Sequence, residues 1–93
     1  MTIGEKVKLC RVEKDISQKE LATRIGVDVS FICKVEKNEK NISLDKLILI
    51  SKELIIGIDE LKIVFYTNKI SELLQEEDIE LKKNILNNII NND

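Results

Sequence analysis

Residues 17 to 36, SQKELATRIGVDVSFICKVE, hold two short runs of helical apolar spacing separated by a single Gly. Leu21, Ala22 and Ile25 fall on one face of the first run, and Ile32 and Val35 on one face of the second. Helices shorter than about 12 residues are marginal in water, so neither run can stand alone. They must fold on each other and on further elements. Ser17 and Glu20 have the spacing of a capping box and open the first helix. Gly26 closes it by tolerating the left-handed backbone of a tight turn, and Asp28 suits the N-cap of the second helix.

The rest of the chain supplies those elements, all of them helical. Ile, Leu, Lys and Glu dominate, Pro is absent, and three aromatics in 93 residues argue against a sandwich or barrel. Ninety-three residues with 43% hydrophobic side chains fit one small all-α core. Thr2 to Glu5 (TIGE) is another capping-box spacing, and Ile3, Val7 and Cys10 form the inner face of a helix ending near Glu13, with Asp15 at the turn. Ser43 caps a fourth helix with Leu44, Leu47, Ile50 and Leu54 as its stripe, and Gly57 breaks it. Asp59 to about Tyr66 forms a short fifth helix through Leu61 and Phe65.

Two helices joined steeply by a three- or four-residue turn containing Gly form a helix-turn-helix unit. Ala22 is small where the second helix crosses it, and Ile25, Val27, Ile32 and Val35 bury the inner faces. Val29, Ser30, Cys33, Lys34 and Lys37 remain outward, with Phe31 at the margin. The net charge of −2 is unevenly spread. Residues 1–53 carry eleven Lys or Arg against nine Asp or Glu, and residues 54–93 carry four against eight, a mildly basic head and an acidic tail.

The run SQKELATRIGVDVSFICKVEKN resembles the Cro and repressor type of helix-turn-helix proteins, the xenobiotic-response-element family, whose motif reads SQxxLAxxxGVxxSxIxxxExG. Agreement covers capping, turn and core positions together and extends from Ile3 to about Leu61. Within that family, DVSFICKVEKNEKNIS is most similar to the controller proteins of restriction-modification systems. Asp15 and Asn38 stand where that pattern has Gly, and both residue types tolerate positive φ.

The resemblance implies a site for DNA. Base contacts would come from Val29, Ser30, Phe31 and Lys34, with Lys34 donating to guanine or a phosphate and Phe31 packing either on thymine methyls or in the core. Val29 stands where many relatives have Gln or Arg and cannot form a bidentate bond to a base, so specificity would lean on its neighbours and on DNA deformability. Backbone contacts would come from Gln18 at a helix N-terminus and from Lys37, Asn38, Lys40, Asn41 and Ser43 in the segment leaving the recognition helix. That segment can also be read as an ordinary loop, and Lys34 as a solvated charge. In the family, positions matching Arg11 and Glu36 pair across helices, which implies a structural salt bridge here.

Beyond Tyr66, Ile70, Leu73 and Leu74 precede Ile79, Ile85, Leu86, Ile89 and Ile90 on an amphipathic helix opened near Glu76 to Asp78. The expected division is a helix-turn-helix domain, 1–66, and a C-terminal helical extension, 67–93, whose apolar face either folds back on its own domain or meets its twin, with a dimerisation element the favoured reading. Leu9, Val12, Ile48, Leu49 and Ile55 exceed what a small core needs and also favour a homodimer. The expected protein is a homodimeric transcriptional regulator on a pseudo-palindromic operator in double-stranded DNA, with RNA polymerase as a further partner if it activates. Two alternatives stay open: an antitoxin-type autorepressor whose last helix holds a toxin, and a protein-interaction module that does not bind DNA.

Other classes find no support in the sequence. No His accompanies the two isolated thiols, Cys10 and Cys33, so neither a metal site nor an activated nucleophile is expected, although Cys33 falls on the second helix of the motif. No enzyme activity, cofactor, metal or small-molecule ligand is expected. Without a membrane-length apolar run or a signal-like N-terminus, the expected location is cytoplasmic.

Overall fold

The computed structural model describes residues 1–92, and Asp93, the last residue of the 67–93 segment, lies outside the described residues. Six helices follow in order: α1 (Ile3–Glu13), α2 (Gln18–Ile25), α3 (Val29–Glu36), α4 (Leu44–Glu53), α5 (Ile58–Leu73) and α6 (Ile79–Asn91). No strand occurs among the described residues.

Local chemistry explains most of the boundaries. Thr2 makes the complete capping box with Glu5: its hydroxyl accepts the Glu5 N–H at 3.1 Å, and the Glu5 carboxylate accepts the Thr2 N–H at 3.2 Å. Ser17, Ser43 and Asp78 cap α2, α4 and α6 in the same way with their side-chain oxygens. The capping box expected at Ser17 is only half made, because Glu20 turns instead to Arg24 one helical turn on, at 2.6 Å. Asp28 occupies the N-cap position of α3, yet its side chain makes no capping bond. The Phe31 N–H is already taken by the Asp28 backbone carbonyl at 3.0 Å in a tightened first turn.

Four helix C-termini close by one device. At Asp15, Gly26, Asn38 and Ile55 the chain takes a positive φ of 53 to 74°, and the N–H of the next residue reaches back to a carbonyl in the preceding helix. Ile16 donates to Arg11, Val27 to Ala22, Glu39 to Lys34 and Ile56 to Ser51, the Schellman pattern. Gly, Asp and Asn accept this backbone readily. Ile55 does not, because a β-branched side chain crowds the following carbonyl.

The core is one cluster contributed by α1 to α5 and by Ile42 in the segment between α3 and α4. Val7, Leu21, Ile32, Leu47, Ile50, Leu54 and Leu61 are fully enclosed, with Cys10, Ala22, Ile25, Val35 and Phe65 around them. Val27, expected at the inner face, is half-buried, and so is Phe31, which packs against the core's edge. Helix α2 packs on α3 and α4, α1 on α3 and α5, and α4 on α5. Gly4 permits the α1 to α3 approach: a Cβ there would collide with the Val35 carbonyl oxygen and come within 2.6 Å of Asn38 Oδ1.

Helix α5 runs 16 residues and passes the stop expected near Tyr66 by two turns. The added turns carry Asn68, whose Oδ1 accepts the Ile3 N–H at 2.7 Å and whose Nδ2 donates to the Met1 carbonyl at 3.2 Å. A distant side chain thereby satisfies a free donor at the start of α1, which local periodicity does not reveal. Helix α6 has no buried residue, and the molecule is elongated, 44 × 25 × 21 Å. Among the described residues no helix is long and apolar enough to cross a membrane.

Candidate nucleic-acid interface

The turn between α2 and α3 consists of Gly26, Val27 and Asp28, and Gly26 at φ 74° sets the crossing of the two helices. Burial of Ile32 and Val35 fixes which face of α3 turns inward. The opposite face carries Val29, Ser30 and Lys34, all exposed, with Cys33 half-buried between them. A surface depression beside this face is lined by Gly26, Val27, Asp28, Ser30, Phe31, Lys34 and Lys40. Phe31 lies at its edge with the Lys40 ammonium 5.2 Å above the ring, so the aromatic both contacts the core and orders a cation at the surface.

Lys37, Asn38, Lys40, Asn41 and Ser43 are exposed along the segment joining α3 to α4. That segment is not a loose loop. Ile42 is buried at its centre and anchors it to the core, Asn38 ends α3 in the left-handed conformation, and Ser43 caps α4. Sequence reading overlooked Ile42 here, although it is the one apolar residue in KNEKNIS. Gly4 and Asn68 were overlooked too. A glycine inside a helix carries a recognisable cost that points to close packing, whereas Asn68 had no local signal.

One ion pair underlies the motif. Arg11 Nε donates to Glu36 Oε2 at 2.7 Å and its NH2 group to Glu36 Oε1 at 3.0 Å, while NH1 reaches the Ile16 carbonyl at 2.8 Å. The two side chains are only 11% and 3% exposed. Gln18, the first residue of α2, is half-buried and donates from Nε2 to Glu36 Oε1 at 3.0 Å. Among the described residues no buried side-chain nitrogen or oxygen lacks a partner. Cys10 is buried in the core, which pushes its thiol pKa up by desolvation.

Two short helices locked by a left-handed glycine, the second holding an uncommitted polar and basic face outward, define a helix-turn-helix protein of the Cro and repressor type. A helix-turn-helix family model matches residues 7–61, and the chain belongs to that family. The restriction-modification controller protein C.AhdI from Aeromonas hydrophila is similar at 32% identity, covering 63% of this chain and 86% of that one, with a TM-score of 0.60. A mutant of the restriction-modification controller protein C.Esp1396I is similar at 30% identity over 82% of this chain and 92% of that one, TM-score 0.57. The SinR–SinI protein complex contains a chain 28% identical, covering 96% of this chain and 79% of that one, TM-score 0.60. No curated protein sequence matches. Family and neighbours together make this chain a DNA-binding transcriptional regulator.

Proposed function

We propose that the protein is a restriction-modification controller acting as a homodimer on a pseudo-palindromic operator. Its helix-turn-helix domain would occupy residues 1–66, with 67–93 as a dimerisation extension. The observation that carries the proposal is the exposed face of α3 followed by a pinned basic segment, in a chain about 30% identical to two controller proteins. Val29, Ser30 and Lys34 would meet base edges, with Lys40 held over the Phe31 ring beside them. Lys37, Asn38, Lys40, Asn41 and Ser43, with Gln18 at the start of α2, would follow the phosphates. One such helix reads only a few base pairs, so a twofold dimer presenting two, about 34 Å apart, suits a symmetric site.

Exposed apolar residues support self-association. Leu9, Val12, Leu49, Ile55, Ile63 and Tyr66 are all exposed on the helical body, and Ile55 lines a shallow depression with Ile48, Ile56 and Ile58. The deciding experiment is selection of duplexes from a random DNA pool at fixed, near-physiological salt. Enrichment of a twofold-symmetric site supports the proposal; asymmetric or absent enrichment by folded protein contradicts it.

A second reading has its own support. The bare apolar residues of α6, together with likeness across 96% of the chain to a solved complex of two proteins, favour a regulator whose C-terminal helix engages a different protein, as in an antitoxin-type autorepressor. Co-purification of one small protein at fixed stoichiometry, lost on removal of α6, would favour it.

A further inference from the structure

The Glu36 carboxylate is placed against the preference of its helix. It is the last residue of α3, where the helix dipole disfavours negative charge, and its side chain is 97% enclosed. Arg11 offsets that cost with two hydrogen bonds. The same carboxylate does something that stability alone does not require. Its Oε1 also accepts an N–H from Gln18, so one oxygen joins α1, the first residue of α2 and the last residue of α3. A primary amide has two N–H donors. Glu36 fixes the first; among the described residues the second has no other side-chain partner.

We propose that Glu36, neutralised by Arg11, is a positioning residue for DNA binding, holding the Gln18 amide by one N–H so that the other is presented to a phosphate oxygen. The inference rests on the phosphate contact proposed for Gln18. Three features make the arrangement suitable. The carboxylate orients the amide unambiguously, because the Gln18 carbonyl oxygen facing Glu36 would set two acceptors against each other. Arg11 cancels the charge that would otherwise repel an approaching phosphate. A glutamine already ordered in the free protein loses less side-chain freedom on binding than a mobile one.

The test is fluorescence-anisotropy titration of a duplex selected by the wild-type protein, at one salt concentration and a temperature where every variant is folded by circular dichroism. The variants are Gln18→Ala, the paired replacement Arg11→Met with Glu36→Leu, and all three together. The paired replacement exchanges a buried ion pair for apolar side chains of similar size, which proteins commonly tolerate. Gln18→Ala and the paired variant should each weaken binding about tenfold, and the triple variant should bind no worse than the paired one. A folded paired variant that binds like the wild type overturns the proposal, as does a triple variant whose loss is the product of the two separate losses. A wild type that selects no duplex overturns the DNA contact itself; a wild type that binds, with Gln18→Ala unchanged, overturns only the part given to Gln18. If the paired variant does not fold, side-chain NMR of the wild type decides: slowed exchange of the Gln18 amide and a scalar coupling to the Glu36 carboxylate are expected, and their absence overturns the proposal.

Discussion

Arg11 and Glu36 meet in near-complete enclosure, so either left alone would be a buried charge with no partner. Glu36→Ala should therefore cost about 3–5 kcal/mol in unfolding free energy, seen in chemical denaturation; a loss under about 1 kcal/mol would show that water compensates the guanidinium. On the proposed DNA reading, the surface lysines have separate tasks. Lys34 on the outward face of α3 should cost about 1–3 kcal/mol when changed to Ala and should relax discrimination between operator variants. Lys37→Ala should weaken binding equally on all duplexes and lower the salt-dependence slope by about one. Equal behaviour of the two variants would show that neither reads a base.

At the scale of elements, two backbone positions decide how helices meet. Gly4 lets α1 lie against the C-terminal end of α3, and the atom opposing an added Cβ is a backbone carbonyl that cannot rotate away. Gly4→Ala should destabilise by about 1–3 kcal/mol despite alanine's better helix propensity, because overpacking outweighs a propensity gain of about 1 kcal/mol. Ile55 is the reverse case. It ends α4 at φ 53° with its side chain 83% exposed, a strained conformation with no burial in return. Ile55→Asn should raise monomer stability by about 1 kcal/mol, read at low protein concentration. If the residue belongs to a dimer contact, the same variant should weaken self-association in analytical ultracentrifugation. Strain kept on an exposed apolar side chain is the pattern expected where a surface is used.

For the whole molecule, the body and α6 answer to different physics. The core residues lie in α1 to α5 and the segments that join them, and no residue of α6 is buried. Deleting residues 75–93 should leave the denaturation midpoint of the dilute protein nearly unchanged, within about 0.5 kcal/mol, since only surface is removed. The same truncation should lower the sedimentation coefficient of concentrated protein beyond the mass lost if α6 associates with a second copy. A collapse of the dilute truncated protein would mean that α6 supports the body after all.

Much of this was legible from local chemistry. The caps at Thr2, Ser17, Ser43 and Asp78, the left-handed stops at Asp15, Gly26 and Asn38, and the inward Ile32 and Val35 each follow from a few adjacent residues, because caps, turns and helical faces are set by short-range bonding and periodicity. The outward residues of α3 followed from the same periodicity. The Arg11–Glu36 pair was expected from the family resemblance, but what remained hidden was decided across long stretches of chain: Asn68 satisfying the N–H of Ile3, Gly4 making room for Val35, Gln18 joining the Arg11–Glu36 pair, and Ile42 pinning the basic segment. By itself the sequence determined that helices form and which faces of α1 to α5 turn inward. Only the tertiary structure decided which polar groups meet, because a hydrogen bond depends on positions good to a fraction of an ångström, and helical periodicity specifies a face rather than a partner.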